Sequence, residues 1–589
     1  MAFALVTSAF PPLSRSCQLF QVPKLSLRPN STFPVVCLAQ HTAETTVTRP
    51  RPRRSGNYPP KLWDDVYIQS LRNGFTEVHA DRIDKLKEDV RRLIEEEKEL
   101  IQQLELVDSL EQLGVAYHFE EEIEKVLEIL HDSMEETKME IRHDIYATSL
   151  LFRLLREHGF TASQDVFNSF KDENGNFKSC HNSDVRGLLG MYHASYLSME
   201  NEKTMDEARD FATRHLKDLV GSDLLEPCLR EDINYALEIP YNFRVQRLHT
   251  KWFIERYQRE EKMNPLLLEF AKLDYNMVQD IYKRELGELS RWWDDLKLLG
   301  DELSFVRDRL VENYFWAVGW AFEPNSCRCR EAITKVICFI STIDDIYDIY
   351  GSLDELELFT DAVERWEINA IDQLPEYMKP CFLGLLNTTN DIVYKILRDK
   401  CVNIISYLKK AWVDLCKAYL LEAKWYFEGY TPTLEEYLEN AWVSITGPLN
   451  LIVAYCVNED VTTDNLNKLT SHQDIIFCSS MIIRLCDDLG TSSDEIERGD
   501  VQKSIQCYMQ QKDVSELVAR EHIKDLISIY WKRMNMKRFA GSRFERVFKN
   551  VAFNLPRSSH AFYQYGDGYG TQPNRKTQDQ IISLFIERI

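Results

Sequence analysis

The sequence predicts an all-α protein, and three observations support this fold class. From Trp63 onward, apolar residues recur at helical spacing. Ile83, Leu86 and Val90 are one example, and this spacing keeps one side of the segment apolar. No segment alternates polar and apolar residues as a half-buried strand does. With 589 residues, the chain exceeds one ordinary hydrophobic core, so we expect two large helical domains.

Composition and helix boundaries divide the chain into three segments. Residues 1–52 are rich in Ser and Thr and contain five basic residues but a single acid. This composition is typical of an organellar transit peptide, and an untargeted tail is the alternative. Asn264 followed by Pro265 forms an N-cap and first-turn pair. We therefore predict one helical domain over 53–263 and a second over 264–589.

The charge balance and the cysteines exclude several classes of protein. With 94 acidic against 71 basic residues, the chain has a net charge of −23 and should repel nucleic acids. An anionic substrate would need focused arginines or bound metal ions. The fourteen cysteines are scattered without a C-x-x-C pair, which argues against zinc fingers and disulfide frameworks. No stretch approaches the roughly 18 consecutive apolar residues of a transmembrane helix, so we expect no membrane span.

The most specific feature is the run DDIYD at 344–348, which follows an apolar stretch. On a helix, Asp344 and Asp348 lie one turn apart on the same face. Two carboxylates aimed the same way repel each other unless a cation lies between them. Mg²⁺ suits such a site, because it takes oxygen ligands and is often shared between carboxylates and substrate phosphates. For this motif alone, a solvated acidic helix end is the alternative.

A second acidic array, RLCDDLGTSSDE at 484–495, favours the metal interpretation. Asp487, Thr491 and Glu495 are spaced by four and drift only about 80° around a helix, so they can present three oxygens to one ion. Gly490 within the array costs about 1 kcal/mol of helix propensity, which a purely structural helix would avoid with Ala. A polar helix face is again the alternative, but two oxygen-rich helices together favour a facing pair of metal sites.

Arginines near both arrays are suited to the remaining diphosphate oxygens. Arg307 and Arg309 lie about one long helix upstream of Asp344, and Arg484 precedes Asp487 by three positions. The planar guanidinium matches phosphate oxygens and stays charged. Each arginine alone is more often part of a surface salt bridge, and the neighbouring acidic arrays are what favour anion binding.

The chain after its N-terminal tail resembles the class I plant terpene synthases. The matching motifs are D-D-x-x-D at 344–348, (N/D)-D-L-x-T-x-x-x-E at 487–495 and R-x-R at 307–309. Arg53 and Arg54, followed after eight residues by Trp63, resemble the tandem-arginine motif of the monoterpene branch. The resemblance implies an N-terminal α-barrel domain that is catalytically silent and a C-terminal class I terpenoid synthase domain.

The same resemblance implies roles for single residues. Asp344 and Asp348 would hold two of three Mg²⁺ ions, for which Mn²⁺ can substitute. Asp487, Thr491 and Glu495 would hold the third ion. The other residues with an implied part in catalysis or substrate binding are Asp345, Arg307, Arg309, Arg484, Lys503, Trp316 and Tyr569.

Three further assignments follow from position in the family. Tyr563 resembles another pocket aromatic, with ordinary core packing as the alternative for all the aromatics. Arg498 and Lys503 match positions in the mobile capping loop of the family. The tandem Arg53 and Arg54 would lie in a strand that folds back over the active site, and a remnant of the targeting signal is the alternative.

The implied enzyme is a monomeric lyase of the plastid stroma that ionises geranyl diphosphate and converts the cation to a monoterpene. Sesquiterpene synthases share the metal motifs but typically lack the transit peptide and the paired arginines. Isoprene synthases favour a Phe where this chain has Ile337. Chain-elongating prenyltransferases repeat D-D-x-x-D, and the D-x-D-D motif of proton-initiated cyclases does not occur. A non-enzymatic helical scaffold is the alternative from a different class.

The helix of the first array also predicts the product class. Counting back from Asp344 by three and seven reaches Ser341 and Ile337, which share its face and should line the same cavity. A hydrocarbon side chain cannot position water, so a cation beside Ile337 ends by losing a proton. We therefore predict mainly olefin products with minor alcohols. The alternatives are that Ser341 or a backbone carbonyl holds a water, or that Ile337 packs into the neighbouring helix.

Overall fold

The computed structural model describes residues 53–56, 58–71, 74–181, 184–221, 225–298, 300–458, 461–471, 474–499, 501–539, 546–567 and 575–589, with the backbone alone at 301, 471 and 493–498. The predicted transit peptide over 1–52 and the predicted pocket residue Tyr569 lie outside these residues. Within them, the protein is helical without a β-strand, and one isolated bridge joins Lys171 and Phe177. This result confirms the predicted all-α fold class.

In the described part of the chain, the first ten α-helices are α1 (Asp65–Ser70), α2 (Phe75–Glu96), α3 (Leu100–Gln112), α4 (Glu120–Asp132), α5 (Met134–Ile141), α6 (Ile145–Glu157), α7 (Val185–Ser195), α8 (Lys203–Val220), α9 (Pro227–Glu238) and α10 (Gln246–Tyr257). The next fourteen are α11 (Pro265–Leu296), α12 (Leu310–Trp320), α13 (Cys327–Asp345), α14 (Leu353–Arg365), α15 (Met378–Lys400), α16 (Ile405–Glu428), α17 (Leu434–Ser444), α18 (Gly447–Asn458), α19 (Thr463–Ser471), α20 (Asp474–Arg498), α21 (Ser504–Lys512), α22 (Glu516–Met536), α23 (Arg546–Tyr563) and α24 (Arg575–Phe585).

The long helix α11 joins two hydrophobic cores. Its first half contributes Phe270 to a core built by the N-terminal helices, and its second half contributes Tyr282 to a core built by the C-terminal helices. At its start, Asn264 Oδ1 accepts a hydrogen bond from the backbone N–H of Leu266 at 3.0 Å, which confirms the predicted N-cap. Residues 53–589 form one compact unit, and the domain boundary at 264 stays a prediction.

Helices of the C-terminal core surround the cavity that holds the acidic arrays. Helix α13 packs against α12 and α18, and α20 packs against α18, α22 and α23. The apolar side chains of these helices are buried between them, so each helix can turn a polar end or stripe toward the cavity while its other faces remain in the core. The array residues are therefore positioned by packing rather than by loops.

One stretch, Leu434–Asn458, is long and apolar enough to cross a membrane by length and composition alone. It consists of α17 and α18 with a break between them, and 61% of its most apolar window is buried inside the protein. A core helix of a soluble protein gives the same signal. The described cysteines are all free thiols.

Candidate active site

The first acidic array lies where α13 ends. A π-helix over Ile346–Tyr350 continues α13, so the turn that separates Asp344 from Asp348 is wider than the α-helical turn that the sequence predicts. Both carboxylates nevertheless line one central cavity. Short π-helical insertions of this kind are frequent at functional sites.

The second of the three aspartates in this array, Asp345, points away from the cavity. It is fully buried, and it accepts hydrogen bonds from the Tyr58 hydroxyl at 2.8 Å and from the backbone N–H of Arg307 at 2.9 Å. Burial raises the pKa of Asp345 to about 6, against the opposing charge of Arg307. Burial also raises the pKa of Tyr58, so its hydroxyl stays protonated as the donor. Asp345 therefore holds the end of α13 in place, one layer behind the cavity.

The second array lies on α20 and faces the same cavity. Asp487 and Thr491 are buried and line it, and the Thr491 hydroxyl donates to the carbonyl oxygen of Asp487 at 2.9 Å. Helix α20 continues through Arg498, so the backbone at Glu495 is helical as predicted. The side chains of Glu495 and Arg498 lie outside the described residues.

Asp488 plays the part in the second array that Asp345 plays in the first. It is fully buried, and it accepts hydrogen bonds from the Tyr437 hydroxyl at 3.0 Å and from the backbone N–H of Ser504 at 3.1 Å. The Nε atom of Arg484 lies 2.9 Å from its Oδ1. The cavity thus receives two outer carboxylates from the first array and one from the second, and each array has one inner carboxylate that binds the protein.

The predicted arginines divide into two groups. Arg307 lines the cavity and forms an ion pair with Asp344, and Arg484 does the same with Asp487. Arg309 departs from the prediction of substrate binding, because it is buried outside the cavity lining and donates to the Pro59 carbonyl oxygen at 3.4 Å. Only the first arginine of the R-x-R motif is therefore placed to meet an anion in the cavity.

The cavity measures about 180 Å³ and combines charged, aromatic and aliphatic walls. Trp316 stacks on Phe562 with ring centroids 3.9 Å apart, and Tyr563 lies 6.0 Å from Trp316. Ile337 and Ser341 both line the cavity, which confirms the face predicted for them. Other lining residues of the described chain include Tyr58, Trp320, Ile340, Tyr419, Glu422, Thr446, Asn450, Lys503 and Leu555.

Two of these lining residues carry polar chemistry that sequence patterns did not reveal. Glu422 is 5% exposed, and its Oε1 accepts hydrogen bonds from the Ser444 hydroxyl at 2.5 Å and from Asn440 Nδ2 at 3.0 Å. Asn450 is 1% exposed. Neither belongs to a spaced array, so no local signal in the sequence distinguishes either from an ordinary helix residue.

Gly490 brings α20 close to the aromatic wall. A Cβ atom at this position would lie 2.7 Å from the carbonyl oxygen of Tyr563 and 2.9 Å from its Cβ. The helix-propensity cost that the sequence indicates at Gly490 therefore has a steric reason, since only glycine lets α20 approach α23 this closely.

The non-helical segment before α1 (residues 53–56 and 58–64), called the N-terminal strand although it pairs with no described β-strand, reaches the end of the first array. Arg53 donates to Glu355 at 2.8 Å and to the carbonyl oxygen of Tyr350 at 3.0 Å, and Arg54 donates to the carbonyl oxygen of Asp348 at 3.1 Å. Burial opposes the charge of Glu355, but hydrogen bonds led by that from Arg53 lower its pKa to about 2. The strand lies over the array as predicted, with both arginines on its outer side rather than in the cavity lining.

The oxygen donors of the cavity fit divalent metal ions. Asp344, Asp348 and Asp487 supply carboxylates and Thr491 a hydroxyl, which are the hard ligands that Mg²⁺ and Mn²⁺ prefer. Among the described side chains, no three His, Cys, Asp or Glu residues form a group that would hold an ion unaided. An ion here would therefore complete its shell with oxygens from a substrate or water.

Comparison with known proteins agrees with this geometry. Family models match the terpene synthase N-terminal domain over residues 62–237 and the terpene synthase family metal-binding domain over residues 295–533. A Hedychium coronarium protein named "Monoterpene synthase 7, chloroplastic" is 53% identical over 91% of this chain and 91% of its own length.

Two solved structures share the fold over nearly the whole described chain. Limonene synthase with 2-fluorolinalyl diphosphate superposes with a TM-score of 0.88 at 43% identity, covering 91% of this chain and 100% of that chain. Isoprene synthase from grey poplar leaves (Populus x canescens), in complex with three Mg²⁺ ions and dimethylallyl-S-thiolodiphosphate, superposes with a TM-score of 0.83 at 45% identity. This superposition covers 90% of the present chain and 99% of the isoprene synthase chain.

Proposed function

The chain belongs to the terpene synthase family, whose members are diphosphate-releasing lyases, and from this premise we propose that it is a monoterpene synthase that ionises geranyl diphosphate. The observation that carries the proposal is a single cavity lined both by two oxygen-rich arrays with their arginines and by aromatic and aliphatic side chains. The charged groups suit a diphosphate, and the apolar walls suit a prenyl chain.

The charged residues bind and orient the leaving group. Asp344 and Asp348 on one wall, and Asp487 and Thr491 on the other together with the predicted ligand Glu495, would hold three Mg²⁺ ions, with Mn²⁺ as a substitute. Bound ions neutralise the charge that develops on the diphosphate as the carbon–oxygen bond breaks.

Three cationic side chains would complete the diphosphate site. Arg307 and Arg484 line the cavity within reach of the outer carboxylates, and Lys503 lines it at the start of α21. Since the ion pairs already hold both guanidinium groups at the cavity wall, little side-chain entropy is lost when they bind an anion.

The aromatic walls act on the cation that remains. Trp316, Trp320 and Tyr563 border the cavity, and a desolvated cation–π contact with such a ring contributes about 2 kcal/mol. The same side chains exclude bulk water from the allylic cation, which bulk water would otherwise quench. Ile337 in the lining supports olefins as the larger product share.

We further infer that residues 1–52 direct the protein to the plastid stroma and that the mature enzyme acts as a monomer. The basic, Ser/Thr-rich composition of residues 1–52 supports plastid targeting, and the name of the Hedychium coronarium relative includes the word chloroplastic. Localisation is tested by fractionation of plant cells that express the full chain fused to a fluorescent protein. Gel filtration tests the oligomeric state.

The substrate is tested by comparing three prenyl diphosphates. The purified full-length protein with Mg²⁺ is incubated with geranyl, farnesyl and dimethylallyl diphosphate, and products are identified by gas chromatography. We expect the highest kcat/KM for geranyl diphosphate. A preference for farnesyl diphosphate would indicate a sesquiterpene synthase, and a preference for dimethylallyl diphosphate an isoprene synthase. No turnover of any of the three would favour the non-enzymatic scaffold.

Metal removal tests the role of the two arrays. EDTA should abolish turnover, and added Mg²⁺ or Mn²⁺ should restore it, because both ions bind hard oxygen ligands. Isothermal titration of the protein with Mg²⁺ in the presence of inorganic diphosphate provides a readout that does not depend on catalysis. Full activity in EDTA would refute the metal assignment.

A further inference from the structure

A buried amide in the cavity wall has an acceptor atom that no described residue uses. Asn450 lies on α18, is 1% exposed and lines the cavity. Its Nδ2 donates to the carbonyl oxygen of Thr446 at 3.2 Å and to the hydroxyl of Thr446 at 3.1 Å. Its Oδ1 is buried without a hydrogen-bond donor among the residues that the structure describes. Because buried polar atoms in native proteins are nearly always paired, we expect this oxygen to receive a donor from a bound molecule.

The contacts of Asn450 determine which way its amide is turned. A carbonyl oxygen only accepts hydrogen bonds, so the group that faces the Thr446 carbonyl must be the NH₂. A flipped amide would bring two acceptors together at 3.2 Å and would lose this bond. Oδ1 is therefore the atom directed away from Thr446, and it is the atom that needs a donor.

The backbone beside this amide is strained. Thr446 has a φ of 72°, a left-handed conformation that is rare for a β-branched residue. It occupies the break between α17 and α18. The next residue, Gly447, packs so closely on α20 that a Cβ atom would lie 2.2 Å from Ser480 Oγ. Strain of this kind persists where the surroundings impose it, and it clusters at functional sites. The break holds the Thr446 hydroxyl next to the Asn450 amide in the cavity wall.

The chemistry of the reactants identifies the donor. A prenyl chain has no N–H or O–H group, and an ionised diphosphate offers acceptors only. Water is thus the donor available to Oδ1 in this cavity. The Thr446 hydroxyl accepts from the amide and keeps its own proton to donate, so the two side chains together supply the acceptor and the donor that a bound water needs.

We propose that Asn450 and Thr446 form a water-binding subsite in the active-site cavity, and that its water is the nucleophile that converts part of the carbocation into an alcohol. This inference rests on the proposed function. Part of the remaining lining is hydrocarbon, at Ile337 and Ile340. The subsite therefore sets the alcohol share, whereas the hydrocarbon wall favours olefins.

The reaction at this subsite balances without another reactant. A lone pair of the water oxygen forms a carbon–oxygen bond to the cationic carbon and fills its vacant orbital. The resulting oxonium loses one proton to an oxygen of the diphosphate that ionisation released. One geranyl diphosphate and one water thus give one alcohol and one hydrogen diphosphate. A cation that does not meet this water loses a proton from carbon and leaves as an olefin.

The test measures the ratio of alcohol to olefin within one reaction. The full-length enzyme, Asn450→Leu and Thr446→Val are each supplied with geranyl diphosphate and Mg²⁺ in H₂¹⁸O, and products are separated by gas chromatography with mass detection. We expect ¹⁸O in the wild-type alcohol and a fall in the alcohol share of about tenfold in both variants, as the loss of one hydrogen bond implies. Because the readout is a ratio, a lower yield of folded variant does not obscure it.

Asn535→Leu is the matched control. Asn535 is buried on α22, and its Nδ2 also donates to backbone carbonyl oxygens, those of Tyr196 and Ser198, but it does not line the cavity. This variant should lose stability and keep the wild-type alcohol share. A wild-type enzyme that forms no labelled alcohol, or an unchanged share in Asn450→Leu, would overturn the subsite. Turnover of farnesyl instead of geranyl diphosphate would refute the proposed substrate alone, and the same ratio would then be measured on its products.

Discussion

The two acidic arrays of the cavity share one design but are held by different parts of the chain. In each, an outer aspartate faces the cavity, and an inner aspartate binds a tyrosine hydroxyl, a backbone N–H and an arginine Nε atom. For the inner Asp345, the tyrosine is Tyr58 of the N-terminal strand. For the inner Asp488, it is Tyr437, a fully buried residue of α17.

The two arrays are therefore supported in the same way, but their geometry depends on different segments of the chain. A fully bonded inner carboxylate fixes the rotamer and helix end from which its outer neighbour projects, which is the preorganisation that a metal or phosphate site requires. The second array obtains this support from the core. The first obtains it from a half-buried strand 287 positions away in the sequence. The geometry of the first array can therefore be altered without damage to the core.

Removing the outer carboxylates should have the largest effect. Asp344→Ala and Asp487→Ala should each lower kcat/KM by about 10³-fold, because the charge of the leaving group loses its metal partner. Each arginine keeps its inner aspartate, so circular dichroism and the melting temperature should change little. Asp414→Ala, at a surface ion pair with Lys410, is the control and should retain full activity. Near-normal activity in either array variant would contradict the metal assignment.

Gly490→Ala should have the second-largest effect, through the position of α20 and the second array. The added Cβ would collide with the backbone of Tyr563 at 2.7 Å, and overpacking against backbone costs about 3 kcal/mol. We expect a lower melting temperature and a changed product ratio, since Tyr563 lines the cavity. Gly300→Ala should be neutral, because a Cβ atom added there would have no described atom within 4 Å. Equal stability of the two variants would show that α20 shifts at no cost.

Acid should weaken the packing beside the second array, where His560 Nδ1 lies 3.7 Å from Cys486 Sγ on α20. The buried His560 accepts from Trp531 Nε1 at 3.1 Å, and burial lowers its pKa to about 4. A depressed histidine pKa means that the unfolded chain binds protons first, so stability is lost as the pH falls from about 6.5 toward 4. Between pH 7 and pH 5, the free energy of unfolding in urea should fall by about 2 kcal/mol from this group. His560→Gln should remove this component, whereas the exposed His143→Gln should not.

Exchanging each tyrosine for phenylalanine gives the smallest effects and compares the arrays directly. Tyr437→Phe removes one of the bonds to Asp488 in the core and should cost about 1 kcal/mol in the free energy of unfolding. Tyr58→Phe removes the equivalent bond to Asp345 from the strand, and we expect a fall in kcat/KM of about fivefold with little change in stability. An equal loss of stability in both would mean that the strand belongs to the folded core.

Several features of the site follow from the sequence because their spacing is local. Residues four apart on a helix share a face whatever the helix packs against, and Asp487 and Thr491 do line the cavity together. The same reasoning placed Ser341 and Ile337 in its wall. The all-α class follows equally from apolar periodicity, since the period belongs to the chain and not to its partners.

Tertiary packing decided the rest. Asp344 and Asp345 are adjacent in the sequence and chemically identical, yet one faces the cavity and the other Tyr58, because only the folded protein brings that tyrosine to α13. Arg309 carries the motif of Arg307 and is turned to the strand instead. The Asn450 oxygen has no donor among the described residues, because the amide nitrogen is the group that bonds to Thr446 in the break between α17 and α18. A sequence shows which hydrogen-bonding side chains lie along a helix, but their partners come from distant segments of the chain. Burial in the fold makes an acceptor without a donor costly in free energy.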